Sequence, residues 1–343
     1  MDDILGNVTR LAALDDRDRK WLGKIGQIER LESGNILIRE GQSLSSLYIL
    51  LRGNLEATIS PPRGMASQSL GKVSPGQILG EISFVGDRLP IATITAVERS
   101  EVLAISYREL GQKLQRDRNF AAHFYKIVSQ SLSRRLRENT ELLATSQILP
   151  IPSLRKVLLM FAIFQDSDLN WILSASQTQK WKSQTTLIRE KEPVSTLYIL
   201  LDGVLEVSVG IEENGIDRRK VLATLESGEI LGEISFIEAG NASATLTCLE
   251  KTLAIALPRD KLTVHLQENP DFAARFYEAI AVVLADRLRD RFQQRGYGGA
   301  AYETGESLDF DLEYADELDL ETLEQTAIAG SRFDWFLRQA KSR

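Results

Sequence analysis

The chain repeats itself, and that repeat limits what it can fold into more than any other feature. Leu37-Ile38-Arg39-Glu40 returns 150 positions later as Leu187-Ile188-Arg189-Glu190. Leu47-Tyr48-Ile49-Leu50-Leu51 and then Gly53 return at the same offset as Leu197 to Leu201 and Gly203. Ile78-Leu79-Gly80-Glu81-Ile82-Ser83-Phe84 returns at 152 as Ile230 to Phe236. Phe120-Ala121-Ala122, Phe124-Tyr125 and Arg135-Leu136-Arg137 return at 152 as Phe272-Ala273-Ala274, Phe276-Tyr277 and Arg287-Leu288-Arg289. The drift implies a small insertion around Glu212 to Arg219, where Asn214-Gly215 reads as a longer hairpin turn. The match covers residues 7–143 and 157–295, so one domain is present twice.

Each copy has the same internal order. A short helical lead (Leu14 to Trp21, Phe164 to Trp171) precedes about eight short apolar runs divided by Gly, Pro, Asn and Ser. That spacing predicts an all-β sandwich or barrel. Each copy closes on a helix of roughly thirty residues, read from apolar positions such as Phe120, Phe124, Ile127, Val128 and Leu132. Asn119, and Asn269 before Pro270, are the expected caps. Pro150 and Pro152 set an extended connector. The expected fold is mainly β with flanking helices: two tandem jelly-roll β-barrel domains over 1–147 and 148–297, each closed by a long helix, and an acidic tail over 298–343.

This helix–barrel–helix order resembles the cyclic-nucleotide-binding domain family, which includes catabolite-activator-type regulators and protein kinase A regulatory subunits. The first signature is similar to Leu37-Ile38-x-x-Gly41-Gln42 followed by Leu47-Tyr48-Ile49-Leu50-x-x-Gly53; the second copy has Lys191 in place of Gly41. The family's phosphate-binding cassette begins Gly-Glu, as do Gly80-Glu81-Ile82-Ser83 and Gly232-Glu233-Ile234-Ser235. The resemblance implies a turn of helix offering backbone N–H groups to an anion, and a glutamate accepting from a ribose hydroxyl. The cassette's end departs from the family. Pro90, before Ile91-Ala92, and Ala242, before Ser243-Ala244, stand where an arginine pairs with the cyclic phosphate. A charge-assisted hydrogen bond contributes roughly 1.5–3 kcal/mol, and a bidentate arginine makes two. Their loss weakens binding by a factor on the order of 10²–10⁴. Arg88 is the one nearby replacement in the first copy. The plainer reading of Gly80-Glu81 and Gly232-Glu233 is structural, a tight turn with a glutamate that caps N–H groups or meets a nearby cation.

The net charge of −7 lies in the tail: 298–343 holds eleven acids and four bases, which leaves 37 of each sign in 1–297. A charge-neutral body and an acidic tail argue against DNA binding. Neither copy is followed by room for a helix-turn-helix reader. No apolar run is long enough to span a bilayer, and the acidic start Met1-Asp2-Asp3 reads as no secretory signal, so a cytoplasmic location is expected. The lone Cys248 reads as a core residue matched by Ala96, and His123 and His265 as surface residues. No catalytic set, metal cluster or cofactor motif is present, apart from the cyclic nucleotide that the resemblance brings. Arg134-Arg135-x-Arg137 and Arg287-x-Arg289-x-Arg291 read as solvated helix faces.

The tail mixes ten acids (Glu303 to Glu324) with Leu308, Phe310, Leu312, Tyr314 and further leucines. Such alternation is typical of segments that order on a partner. Arg332 to Lys341 reads as a short aromatic helix, and Phe333, Trp335, Phe336 and Leu337 need to dock on something. Two hosts are open, a separate protein and the chain's own second domain. The expected function is a non-enzymatic regulator or adaptor with degenerate nucleotide sites and a docking tail. The alternative is a cyclic-nucleotide or other small-ligand receptor with a non-standard pocket. A homodimer is left open.

Overall fold

A computed structural model of the chain describes residues 14–60, 67–86, 88–143, 156–213, 216–293 and 320–342. The connector at 148–152, Asn214-Gly215, the Gly296–Gly299 break, Phe310 and Leu312 lie outside the described residues.

The first repeat opens on α1 (Asp16–Ile25). Its strands are β1 (Gln27–Leu31), β2 (Ile36–Ile38), β3 (Ser46–Arg52), β4 (Leu55–Ile59), β5 (Gln68–Val73) and β6 (Ile78–Leu79). After the short helix α2 (Glu81–Gly86) come β7 (Thr93–Ala96) and β8 (Ser100–Ser106), then α3 (Tyr107–Arg116) and the closing helix α4 (Arg118–Leu143). The second repeat adds one leading helix among the described residues, α5 (Lys156–Ile163), and then follows the same order. Its members are α6 (Asp166–Ala175), β9 (Gln177–Trp181), β10 (Thr186–Ile188), β11 (Thr196–Asp202), β12 (Leu205–Glu213), β13 (Ile216–Leu225) and β14 (Ile230–Leu231). They continue with α7 (Glu233–Glu238), β15 (Thr245–Cys248), β16 (Thr252–Pro258), α8 (Arg259–Glu268) and α9 (Pro270–Gln293). A last helix, α10 (Leu320–Lys341), lies in the tail.

Among the described residues each repeat holds two four-stranded antiparallel sheets, ordered β1-β8-β3-β6 and β2-β7-β4-β5 in the first, and β9-β16-β11-β14 and β10-β15-β12-β13 in the second. Strand alternation divides the side chains between two cores. In β3, Leu50 and Tyr48 face a core shared between the sheets with Leu55, Val73, Ile94 and Val102. Leu47, Ile49 and Leu51 face the helices. The second repeat divides Tyr198 and Leu200 from Leu197, Ile199 and Leu201 in the same way. The inserted residues lengthen one hairpin: β12 and β13 pair out to Glu213 opposite Ile216. Cys248 is fully buried where Ala96 sits in the first copy.

Glycine retention follows the space around each turn. Gly34 and Gly41 have left-handed backbones with nothing near a would-be Cβ, and the second copy holds Gln184 and Lys191 there at φ 65°. At Gly53 a Cβ would meet Ser100 Oγ at 2.2 Å, and at Gly203 it would meet the Lys251 carbonyl at 2.9 Å. Both copies keep glycine there.

The two helix-side cores merge into one. It runs from Phe120, Phe124, Val128 and Leu132 of α4 to Phe272, Phe276, Ile280 and Leu284 of α9 and on to Phe336 of α10. Tyr125 Oη donates to Glu278 at 3.0 Å, Ser129 Oγ to the Tyr277 carbonyl at 3.0 Å, and Arg291 Nη1 to the Leu136 carbonyl at 3.0 Å. The order of these contacts makes α4 and α9 parallel neighbours. Asp117, rather than Asn119, caps α4, accepting from the Phe120 N–H at 3.1 Å. Asn269 stands at the start of α9, its carbonyl accepting from the Ala273 N–H at 2.9 Å. Among the described residues no helix is long and apolar enough to cross a membrane.

Candidate functional site

The two cassettes are built from backbone geometry first. Gly80 (φ 86°) and Gly232 (φ 83°) hold the left-handed turn that lets a strand run directly into α2 or α7. A Cβ on Gly80 would lie 2.8 Å from Leu44, and one on Gly232 would lie 3.1 Å from Val194. Tyr107 Oη donates to the Gly80 carbonyl at 2.7 Å. Arg259 takes the matching place in the second repeat, donating to the Val194 and Phe236 carbonyls at 3.3 Å. Phe84 packs on Tyr107 and Phe124, and Phe236 on Phe276, so each short helix is fastened to its closing helix. Ile82 and Ile234 pack beside them on the helix-side core, and Ser83 and Ser235 are buried.

Each cassette glutamate is taken up by an arginine of its own closing helix. Glu81 is 1% exposed, and Arg135 Nη1 donates to its Oε1 at 2.5 Å while Nη2 donates to the Ile78 carbonyl at 2.8 Å. Glu233 is 4% exposed and pairs with Arg287 Nη1; Arg287 Nη2 reaches Glu229 at 2.6 Å and the Ile230 carbonyl at 2.9 Å. Burial raises the Glu81 pKa above the usual carboxylate range, and the Arg135 charge works against that rise. Burial also opposes the charge of Arg287, but Glu233 and Glu229 more than offset it, so the guanidinium stays protonated.

Pro90 and Ala242 are both buried. The Pro90 carbonyl accepts from the Gly41 N–H at 2.9 Å, and the Ala242 carbonyl accepts from Lys191 at 2.9 Å. Ala242 packs in the inter-sheet core beside Leu231 and Leu246, and Ile91 packs in the helix-side core. Ala92, Ser243 and Ala244 are half-buried in the bends that lead into β7 and β15. Arg88 does not turn into its cassette; it points to Asp286 of α9 at 3.6 Å.

Several expectations are corrected by this geometry. The arginine clusters are not solvated helix faces, since Arg135 and Arg287 reach the cassettes of their own repeats. Arg137 and Arg289 reach those of the opposite repeat. The signal was present in the sequence: Glu81–Arg135 and Glu233–Arg287 share a separation of 54 residues in both copies. The histidines are not free surface residues either. His123 Nδ1 lies 2.7 Å from Asp18, and His265 stacks on Trp171 at 3.7 Å between ring centres. Asp15, Asp18 and His123 bring possible metal ligands together. Their bonds account for them otherwise, because Asp15 and Asp18 form the capping box of α1.

Of the two hosts open to the aromatic tail anchors Phe333, Trp335, Phe336 and Leu337, the chain's own second repeat takes them up. Phe336 is fully buried, its ring 5.4 Å from that of Phe161, and Phe333 lies 5.1 Å from the same ring. Trp335 and Leu337 pack on the same core. Arg332 Nη1 donates to the Phe161 and Ala162 carbonyls at 3.2 and 3.0 Å, and Thr178 Oγ1 donates to the Ala340 carbonyl at 3.1 Å. The cause lies in α5, an apolar helix whose second side would otherwise face water.

Two antiparallel sheets, a cassette turn and a closing helix, all present twice, define a tandem of one duplicated domain. The profile described as "Cyclic nucleotide-binding domain" matches residues 28–117 and 178–269, and the chain belongs to that family. It is 24% identical over 260 residues to a cGMP-dependent protein kinase of Eimeria tenella, which covers 76% of this chain and 22% of that protein. It is 28% identical over 117 residues to the cAMP-activated global transcriptional regulator CRP of Salmonella typhimurium, covering 34% of this chain and 54% of the regulator. The chain thus spans about a fifth of the kinase and about half of the regulator. Among solved structures, the regulatory domain of Toxoplasma gondii PKA with cAMP is 16% identical, with coverage of 85% and 95% and a TM-score of 0.31. The regulatory subunit of a cAMP-independent protein kinase A from Trypanosoma brucei is 16% identical, with coverage of 79% and 94% and a TM-score of 0.30.

Proposed function

We propose that the chain is a non-enzymatic regulatory or adaptor protein whose cassettes hold the fold together instead of gripping a cyclic phosphate. One observation carries this reading. Both cassette glutamates are buried on an arginine of the same chain, while Pro90 and Ala242 leave the phosphate position without its guanidinium. A ribose hydroxyl would have to share a carboxylate already held in a buried ion pair. The parts are residues 1–147, 148–297 and 298–343, with α10 serving the second repeat. A protein partner would meet the acidic stretch 303–324, whose charge favours a basic surface. A cytoplasmic location and an absence of DNA binding belong to the same reading.

Isothermal calorimetry of the whole chain with cAMP and cGMP tests it, with no heat expected at micromolar nucleotide. Micromolar binding that is lost in both Glu81→Ala and Glu233→Ala would establish the second reading instead, a receptor with a non-standard pocket. The retained left-handed Gly80-Glu81 and Gly232-Glu233 turns and the family match speak for that second reading.

A further inference from the structure

The contacts between the repeats come in exchanged pairs, and the exchange is not even. Arg137 of α4 crosses to the loop after α7, where its Nη2 donates to the Asn241 carbonyl at 3.2 Å. Arg289 of α9, its counterpart 152 positions on, crosses to the loop after α2 and donates from Nη2 to the Leu89 carbonyl at 2.9 Å. Leu89 and Asn241 are themselves 152 apart, so this bond is reciprocal. So is the contact one helical stretch earlier, where Tyr125 Oη meets Glu278 and Lys126 Nζ lies 5.8 Å over the Tyr277 ring.

The charges around these reciprocal bonds differ on the two sides. Where α4 meets the second cassette, Glu238 accepts from Arg137 Nε at 2.6 Å and from Ser133 Oγ at 2.9 Å. Where α9 meets the first cassette, Asp286 faces Arg88 at 3.6 Å. The counterparts of Glu238, Ser133, Asp286 and Arg88 are Gly86, Ala285, Arg134 and Gly240. Two first repeats paired through this face would set Arg88 against Arg134 twice and leave Arg137 facing Gly86. Two second repeats would keep Glu238 opposite Arg289 but would lose both serine donors and the Arg88 partner of Asp286.

We infer that the α4–α9 face is a matched surface that pairs first repeat with second repeat and discriminates against pairs of like repeats, above all against two first repeats. Its partner is the other half of a tandem, from the same chain or, by exchange, from a second copy. Charges that attract in one pairing and repel in the other are how such interfaces choose. The apolar stripe Phe120–Leu132 against Phe272–Leu284 supplies the adhesion, and the polar border supplies the choice.

The test introduces a protease site between 144 and 155 in the full chain, cuts it, and measures masses by native mass spectrometry. The expected result is a complex of one N-terminal and one C-terminal piece. After unfolding in denaturant and refolding, the same one-to-one pairing of an N-terminal with a C-terminal piece should return without pairs of N-terminal pieces. Separation of the pieces at physiological salt, or a statistical mixture of like and unlike pairs, would overturn the inference. A second arm uses the uncut chain. Glu238→Arg should lower Tm by setting two cations together, and adding Arg137→Glu should recover part of that loss. A double variant no more stable than Glu238→Arg alone would overturn the charge matching even where refolding of the cut chain proves poor.

Discussion

His123 and Arg275 occupy the same place on the two closing helices, and each grips the carboxylate that ends the first turn of its repeat's leading helix. His123 Nδ1 lies 2.7 Å from Asp18, while Arg275 Nε lies 2.6 Å from Asp168 with Nη2 at 2.9 Å. Hydrogen bonding to Asp168 raises the Arg275 pKa further, so this cation is permanent, and it makes two bonds to the carboxylate where His123 makes one. Arg275→Ala should destabilise by about 3–5 kcal/mol, because it leaves a buried Asp168 without its cation. His123→Ala should cost no more than about 1–2 kcal/mol. Urea melts of the two variants check the order, and equal losses would refute it.

Three tyrosines on the helix side make the fold sensitive to alkali. Burial raises the pKa of Tyr107, of Tyr125 and of Tyr277, the last to about 12. A phenol whose folded pKa is raised favours the folded state below its unfolded value near 10, and that advantage fades as pH climbs from 10 toward 12. For Tyr277 alone the difference corresponds to up to about 3 kcal/mol. Tm should therefore be flat from pH 7 to 9 and fall above 10, and Tyr277→Phe should flatten the fall. An unchanged slope in that variant would contradict the assignment.

The positive-φ positions predict opposite signs for superficially similar exchanges. Lys191→Gly should stabilise by up to about 1 kcal/mol, since a lysine at φ 65° is replaced by the residue that prefers that backbone. Gly53→Ala should destabilise by several times as much, because its methyl would have to displace Ser100 Oγ. Thermal melts of both settle the matter, and a stable Gly53→Ala protein would show that the turn can yield.

Phe336→Ala should cost about 3–5 kcal/mol, the usual loss for a fully buried phenylalanine. It should loosen α5 and α6 before the first repeat, which hydrogen exchange would register as early loss of protection around Phe161. Protection unchanged there would mean that the last helix is not what secures α5.

What the sequence disclosed, and what it withheld, follow the range of the interactions. The strands, the duplicated cassette turns and the hairpin insertion rest on local rules, so alternation and glycine spacing were enough to read them. The partners of Glu81 and Glu233 are tertiary. Their arginines sit 54 residues away on helices that looked amphipathic and solvated, and only the shared separation in both copies pointed to them. The tail was legible as needing a host but not as having one. The missing clue was α5, whose run Val157–Phe164 carries no polar side to leave facing water. The crossing of Arg137 and Arg289 could not be read at all, since it depends on how two complete domains lie together.

The docking of Phe333 and Phe336 onto Phe161 also sets a schedule for the growing polypeptide. Phe161 leaves the ribosome with its cover still unmade, and 175 residues separate it from Phe336. At ordinary elongation rates of about 5–20 residues per second, that interval lasts on the order of ten to thirty seconds. During it the first repeat can already be complete while an apolar helix of the second waits in the open. Nascent chains stalled anywhere before the last helix would therefore be the sticky ones, and a holdase that visits this protein would find its foothold at α5.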